Sequence, residues 1–351
     1  MSRPTLLALA TALTCATAPA AAQLPRVTPV ASIGCEECGG PQEFGELLDV
    51  SVDSDGGVLV LTNSAPFVRR FAANGSPAWS AGVAGSGPGE FQRALWAMLA
   101  PTGVQVVDMG ARRVSRLDAT GAFRGSASFR GFAPTVAARG SSGEFVMLID
   151  DFRGGYRLER WTAADSGQPY FALPTEPREP GAIVFTAMAI ATDGRLALIR
   201  DINTYRVQVF DRDGTLLRTL TREIPQVRRT AEELAAQERT RQRAAARVAA
   251  ERGAAPARGA PPAPRPGGNP DLKPHVSIDG LQYDDRGRLW LRTMRGDHTV
   301  TVFDVFADSG EFLGELRVPG VLGSFSLAGP WLAAATESDD GYPIVRIYRV
   351  N

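Results

Sequence analysis

Lysine is almost absent from this sequence of 351 residues: Lys273 stands alone among 38 basic residues. The chain also has only two histidines and three cysteines, which leaves little material for a transition-metal site. Its 38 acidic residues balance the basic ones, so the formal net charge is zero. Because a nucleic-acid-binding surface needs excess basic charge to displace counterions, we expect no nucleic-acid partner. We also predict no metal and no cofactor.

Long apolar runs are missing as well. Residues 5–18 are mostly apolar, but they are fewer than the roughly 18 needed to cross a bilayer. They follow Arg3 and lead to the small residues Ala20–Ala22 before Gln23, which predicts a signal peptide over 1–22, cleaved near Ala22-Gln23. A lipid anchor on Cys15 is the alternative, which Thr14 before it disfavours. We therefore expect an exported protein, periplasmic or secreted, with one domain over 23–351 and no transmembrane segment.

Glycine, in contrast, is abundant, with 37 residues. Segments such as Val207-Gln-Val-Phe-Asp-Arg-Asp-Gly214 recur, and each ends in a glycine that suits a tight turn. A second turn recurs half a period earlier, as at Asp53–Gly56, and a short apolar run follows it each time. Each unit therefore contains four short strands, and six such units predict an all-β, six-bladed β-propeller. The closing glycines stand at positions 75, 121, 167, 214 and 310.

The sixth unit contains only three predicted strands before the chain stops. The missing outer strand is available near the N-terminus, over residues 27–34. We predict that this strand completes the sixth blade and closes the ring. Closure removes the exposed sheet edges that would otherwise pair with other chains.

These repeats resemble those of NHL-repeat proteins, a family that includes bacterial six-bladed β-propellers. The most similar stretch is Asn203–Gly214, in which Asn and Arg precede an apolar strand that ends in Phe-Asp-x-x-Gly. Gly85–Phe91 is similar to the loop between blades of that family. The resemblance implies the fold over 27–351, apart from an insertion. It leaves the function open, because the family contains ligand sensors, protein scaffolds, lyases and RNA binders.

The insertion occupies residues 222–274, between blades 4 and 5. Thr230-Ala-Glu-Glu233 is a capping-box pattern, and it predicts a helix over about 231–252. A Pro/Ala/Gly-rich linker follows over 254–270. The insertion holds 11 basic and 6 acidic residues, so the ring itself is acidic. We expect a solvated surface loop, with a lid or a partner-binding arm as the alternative.

Two of the three cysteines, Cys35 and Cys38, lie three positions apart just after the closing strand. In an exported chain we predict a local disulfide between them, with free or redox-active thiols as the alternative. Gly39 stands where a c-type haem site would have histidine, and a zinc site would lack two ligands.

An enzymatic role would need a polar cluster over the channel. Propeller hydrolases and lactonases with six blades hold a calcium ion there, and that ion prefers oxygen ligands. Asp49 and Asp279 are the only acids at the starts of the first strands, and no catalytic motif is present. We therefore predict no catalytic residues and expect a non-enzymatic protein. The alternative is a propeller hydrolase or lyase with a degenerate, calcium-dependent site at the channel mouth.

The loops between the second and third strands of the blades carry the best candidates for binding. They all emerge on one face, together with the connections between blades, and we call it the loop face. We predict a monomeric binding or scaffolding module that recognises a protein or a small ligand there. The alternative is that these side chains are solvated and pair among themselves. The candidates are Arg112, Arg113, Asp151, Arg153, Tyr156, Asp201, Asn203, Arg295, Asp297, His298, Asp339, Asp340 and Tyr342.

Overall fold

Six four-stranded antiparallel sheets form the body of the protein in a computed structural model. The structure describes residues 23–138, 142–150, 156–162, 167–173, 187–235, 237–239, 242, 269, 271–297 and 299–351. The predicted signal peptide and most of the insertion lie outside these residues. Among the described residues, no helix is both long enough and apolar enough to cross a membrane.

The strands of each blade follow one another from the innermost to the outermost. Blade 1 contains β2 (Leu47–Val52), β3 (Val58–Thr62), β4 (Val68–Phe71) and β5 (Pro77–Ala81). Blade 2 contains β8 (Ala94–Ala100), β9 (Gly103–Asp108), β10 (Arg113–Asp118) and β11 (Phe123–Ser128). Blade 3 contains β12 (Phe132–Ala138), β13 (Phe145–Asp150), β14 (Tyr156–Trp161) and β15 (Gln168–Pro169). A short parallel pair, β6 (Val83–Ala84) and β7 (Glu90–Phe91), connects blades 1 and 2.

The remaining blades follow the same order. Blade 4 contains β16 (Ala187–Ile190), β17 (Leu196–Ile199), β18 (Arg206–Phe210) and β19 (Leu216–Thr221). Blade 5 contains β20 (Val276–Tyr283), β21 (Leu289–Thr293), β22 (Val300–Phe306) and β23 (Phe312–Pro319). Blade 6 contains β24 (Phe325–Ala328), β25 (Trp331–Glu337), β26 (Pro343–Val350) and, as its outermost strand, β1 (Val27–Ile33).

Blade 6 confirms the predicted closure of the ring. β1 pairs antiparallel with β26, from Val27 opposite Val350 to Ile33 opposite Val345. Ile33 is 1% exposed and packs in a cluster that includes Val345 and Phe71 of blade 1. The N-terminal strand therefore supplies both the last backbone ladder and part of the core at the seam.

The turn glycines take the backbone conformation that the repeat predicts. Gly75, Gly121, Gly167, Gly214 and Gly310 all have a φ between 56° and 90°. A side chain at Gly121 would also meet the ring of Trp79 in the neighbouring blade at 2.6 Å. The spacing of these glycines thus marks the turn between the third and fourth strands of successive blades.

The hydrophobic core is divided among the interfaces between neighbouring blades. Each of the six clusters of buried residues joins two adjacent sheets. For example, Leu59 of β3 packs with Val106 of β9, which joins blade 1 to blade 2. The second strand of a blade packs against the blades on both sides. This explains why every residue of Val58–Thr62 is buried.

The insertion begins and ends as a paired stem. Arg229 N donates to Asp271 O at 2.8 Å, and Lys273 N donates to Val227 O at 2.8 Å. The predicted capping box forms, because Thr230 N donates to Glu233 Oε2 at 2.9 Å and Glu233 N to Thr230 Oγ1 at 3.1 Å. Residues 231–235 and 237–239 are helical. The rest of the predicted helix and the linker lie outside the described residues, except Gln242 and Asn269.

Candidate functional site

A cavity of about 170 Å³ lies where the innermost strands of all six blades meet. Most of its lining residues are apolar, among them Trp96, Met98, Val136 and Met188, although polar atoms form the larger part of its surface. Asp49, Asp279 and Arg292 are its only charged residues within the described part of the chain. Apolar side chains combined with a few convergent polar groups are typical of small-ligand sites.

A bulge in β20 points Asp279 into this cavity. Val276 pairs with Thr293 and Leu281 pairs with Leu291, so four residues, 277–280, face the single residue Arg292. Asp279 has a φ of 55°, a left-handed conformation that aspartate tolerates better than most residues. Bulges commonly aim a side chain at a functional position, and this one turns an acidic residue towards the channel axis.

Arg292 supports the bulge from the second strand of the same blade. Its Nη2 donates to Ser277 Oγ at 2.7 Å and to Ile278 O at 3.3 Å, while Nη1 donates to Leu322 O at 2.8 Å. The side chain is buried, and no ion pair within 4.0 Å links it to Asp279. Arg292 therefore holds the backbone around Asp279 without neutralising its carboxylate by direct contact.

Asp49 faces the same cavity from blade 1 and is fixed by three donors. Its Oδ1 accepts hydrogen bonds from Val50 N at 2.9 Å and from Ser324 Oγ at 2.6 Å, and its Oδ2 accepts one from Ala97 N at 2.9 Å. Asp279, in contrast, accepts no hydrogen bond from any described residue. The two carboxylates thus differ: one is oriented by blades 1, 2 and 6, and the other is open to the cavity.

Both carboxyl groups hold their protons more tightly than usual. Burial raises the pKa of Asp49 to about 6, although its hydrogen bonds act in the opposite direction. Burial and repulsion from Asp49 raise the pKa of Asp279 to about 7, against the attraction of Arg292. Burial lowers the pKa of Arg292 to about 10. Asp279 is exposed, so solvent screening moderates the effect there.

The cavity does not offer the oxygen cage that a calcium ion prefers. Two carboxylates line it, and the described residues contain no group of three or more His, Cys, Asp or Glu placed to hold a metal. The amide of Gln282 also lines it, but Nε2 donates to Phe325 O at 2.6 Å and Oε1 accepts from Leu327 N at 2.9 Å. That amide therefore joins blade 5 to blade 6.

Several predicted binding residues are engaged within the ring. Arg113 donates to the carbonyls of Ser86, Gly87 and Glu90, so it fixes the loop between blades 1 and 2. Arg295 forms ion pairs with Asp304 and Glu315.

Asp304 is the centre of that network. It is fully buried and also accepts hydrogen bonds from Tyr205 and, at 2.7 Å, from Arg222. Two arginines and a tyrosine from blades 4 and 5 and their connection thus converge on one carboxylate. This arrangement joins the two blades at the point where the insertion leaves the ring.

Other predicted residues make local turns. Asp201 Oδ1 accepts from Asn203 N and from Asn203 Nδ2, both at 2.9 Å. Asp297 Oδ1 accepts from Thr299 N at 2.8 Å. Such contacts shape the loops and leave each residue at the loop face. Asp151, Arg153 and His298 lie outside the described residues, and nothing is described of the side chain of Tyr156.

Of the other predicted residues, Arg112, Asp339 and Asp340 are exposed, as Asp201 and Asp297 are, and Tyr342 is half-buried. Arg112 is exposed, and Asp339 is fully exposed, 3.8 Å from Arg346. Asp339 and Arg346 line a groove of about 880 Å³ on the loop face, beside blades 5 and 6. The groove also contains the exposed carboxylates of Glu46 and Glu337 and the exposed side chain of Val321.

Reasoning from the sequence singled out Asp49 and Asp279 but missed the contacts around them. Ser324 stands at the equivalent position, at the start of the first strand of blade 6, but the sequence does not show that it donates to Asp49. Arg292 could be found only once the bulge in β20 was known.

The disulfide between Cys35 and Cys38 is present, as predicted. It lies in the connection from β1 to β2, where Cys35 N also donates to Gln42 O at 3.1 Å. The same connection is fixed by Arg69, which donates to Pro41 O at 3.0 Å and to Glu43 O. The loop at the seam is therefore stabilised by both covalent and polar contacts.

Solved structures with the same fold are numerous, although their sequences are distant. A member of the DUF4221 family from Bacteroides vulgatus has a TM-score of 0.56 and 10% identity, over 93% of this chain and 98% of that chain. A protein from Bacteroides fragilis described as exported has a TM-score of 0.54 and 10% identity, over 93% and 95%. No protein-family model and no curated protein matches the sequence. The chain is thus a six-bladed β-propeller, and at this identity the likeness defines the fold alone.

Proposed function

We propose that this protein is an exported binding module that recognises a positively charged protein segment or small ligand at its loop face. The groove beside blades 5 and 6 carries the proposal. Among the described residues that line it, three carboxylates, Glu46, Glu337 and Asp339, outnumber one cation, Arg346. Val321, 55% exposed, adds an apolar contact at the same place. A charged rim next to an apolar contact is a common composition of recognition surfaces.

Export is supported by three separate observations. The N-terminal sequence has the pattern of a signal peptide. The Cys35–Cys38 disulfide suits an oxidising compartment. One protein of the same fold is described as exported. We propose cleavage near Ala22-Gln23 and a single domain over 23–351.

Site-specific photocrosslinking tests the recognition face. A photoreactive phenylalanine analogue replaces Tyr342 on the loop face or, as a control, exposed Thr120 in a turn on the opposite face. Each variant is expressed in the native host, and the extracytoplasmic fraction is irradiated. We expect a defined adduct only from position 342, which Asp339→Ala reduces at least about fivefold. Equal adducts from both positions, or no effect of Asp339→Ala, would contradict the proposal.

A further inference from the structure

The cavity on the propeller axis is separate from the groove on the loop face. We propose that the axial cavity binds a small organic monocation, an ammonium group on an apolar body, with Asp279 and Asp49 as its counter-charges. Four observations support this: the charge of the lining, the state of the two carboxylates, the composition of the wall and the size of the cavity.

The charged residues that line the cavity leave it one positive charge short of neutrality. When Asp49 and Asp279 are both ionised, the cavity holds two negative charges and only the positive charge of Arg292. Charges enclosed in a protein are favourable only when they are paired. Arg292 donates to Ser277 and Leu322 and forms no ion pair with Asp279. A bound monocation would make the cavity neutral.

The two carboxylates are placed to receive an ammonium group rather than a metal ion. Asp279 is exposed to the cavity and accepts no hydrogen bond from any described residue. Asp49 Oδ2 accepts one hydrogen bond, from Ala97 N, which leaves a further lone pair available. An ammonium group has three donors and needs few acceptors, whereas Ca²⁺ takes about 6–8 oxygen ligands. The two available carboxylates therefore suit the former.

The wall suits the rest of such a ligand. Trp96 presents an aromatic ring, which attracts cations as well as apolar groups. Met98, Met188 and Val136 add an apolar surface. The cavity of about 170 Å³ is comparable with an engineered cavity of about 150 Å³ that binds benzene. We therefore expect a body of about six to nine heavy atoms.

Binding is expected to release a proton. In the empty cavity a proton on Asp279 or Asp49 supplies the missing positive charge, consistent with the raised pKa of both groups. Asp49, Asp279 and Arg292 are the only charged groups among the described residues that line the cavity. The monocation takes the place of that proton, so its affinity rises as the pH increases through about 6 to 7.

Calorimetry with cyclohexylammonium chloride tests the site. The purified protein is titrated in amine-free buffers at about pH 5 and about pH 8, with cyclohexanol as the uncharged ligand of equal size. We expect cyclohexylammonium to bind at least about tenfold more tightly at the higher pH and to release protons, as buffers of different ionisation enthalpy reveal. Cyclohexanol should bind at least about tenfold more weakly than the ammonium at the higher pH.

Variants assign the binding to this cavity. Asp279→Asn keeps the shape and tolerates the left-handed backbone, and it should weaken cyclohexylammonium binding at least about tenfold. Asp213→Asn, at an exposed turn, is the matched control and should change nothing. If Asp279→Asn does not fold, Trp96→Leu is a second variant. It should weaken cyclohexylammonium binding about threefold or more.

Three outcomes would overturn the inference: equal affinity for cyclohexanol, unchanged binding by Asp279→Asn, or displacement of the ammonium by millimolar Ca²⁺. These measurements do not involve the groove. Evidence against the axial site would therefore leave the proposed recognition at the loop face unaffected. Evidence against recognition at the loop face would likewise leave the axial site unaffected.

Discussion

Ser324 donates a hydrogen bond of 2.6 Å to Oδ1 of Asp49, although the two residues lie 275 positions apart in the sequence. Asp49 is on the innermost strand of blade 1, and Ser324 directly precedes the innermost strand of blade 6. This contact therefore joins the first and last blades at the axis. The ring is closed twice, by β1 at the periphery and by this hydrogen bond at the centre.

Removing the hydrogen bond between Ser324 and Asp49 should weaken the junction of blades 1 and 6. We expect Ser324→Ala to lower the free energy of unfolding by about 1–3 kcal/mol, because the lost hydrogen bond is to a charged acceptor. The pKa of Asp49 should rise further, since this hydrogen bond favours the ionised form. Urea unfolding and NMR titration of the carboxyl carbon measure the two effects. Exposed Ser80→Ala is the control, and an equal effect there would contradict the prediction.

The closing strand β1 should contribute to stability through the buried side chain of Ile33. Ile33→Ala should cost about 2–5 kcal/mol of unfolding free energy, because Ile33 is 1% exposed at the seam. Val30→Ala, on the same strand but 55% exposed, should cost less than about 0.5 kcal/mol. Denaturant unfolding of both variants makes the comparison. Similar losses from both would show that β1 does not contribute to the core at the seam.

Stability should fall as the pH rises through the range in which Asp279 titrates. Its native pKa of about 7 lies above the ordinary value near 4, so the native state binds more protons than the unfolded state between these values. Raising the pH from about 4 to about 7 therefore destabilises the protein relative to Asp279→Asn. Urea unfolding of both proteins across this range measures the difference. A difference that is independent of pH would refute this assignment.

The buried carboxylate between blades 4 and 5 should be far more sensitive than an exposed one. Asp304→Asn leaves Arg222 and Arg295 without their buried counter-charge, and should cost about 3–5 kcal/mol. Asp308→Asn removes an exposed partner of Arg195, and should cost at most about 1 kcal/mol. Thermal and urea unfolding of both variants provide the test. Comparable losses would mean that burial does not govern these ion pairs.

The disulfide should have a modest effect on stability. It closes a very short loop, so it restrains the unfolded chain less than the roughly 3 kcal/mol expected for a 15-residue loop. Contacts from Arg69 hold the same connection. We expect the double variant Cys35→Ser/Cys38→Ser to fold and to lose at most about 2 kcal/mol. Mass spectrometry of the non-reduced protein should find no free thiol at either position, and two free thiols would contradict the pairing.

The fold was predictable because its signal is periodic. A tight turn needs a positive φ, so the glycines at 75, 121, 167, 214 and 310 report the blade spacing directly. The pairing of β1 with β26 followed from the one strand that blade 6 lacked. The capping box at Thr230 and Glu233 is also a local pattern, and it too could be identified before the structure.

The site was predictable only in part, because it depends on contacts between distant strands. Asp49 and Asp279 could be found as acids at the starts of first strands, but the bulge at 277–280 could not. Arg113 and Arg295 have the composition of ligand contacts, and yet their donors are used by carbonyls and carboxylates of the ring. Composition identifies the loops that carry polar side chains. Which of those side chains already have hydrogen-bond partners within the ring depends on how the strands pair, and the sequence does not show this.

The single lysine offers a chemical reporter on the insertion. Lys273 Nζ lies 2.6 Å from Glu233 Oε1 and donates to Gly296 O at 3.3 Å, and the side chain is only 8% exposed. Amine-directed reagents therefore meet one lysine ε-amino group in this chain, and it is protected while the stem stays closed. The rate of its acylation or reductive methylation measures how often the base of the insertion opens, without any engineered label.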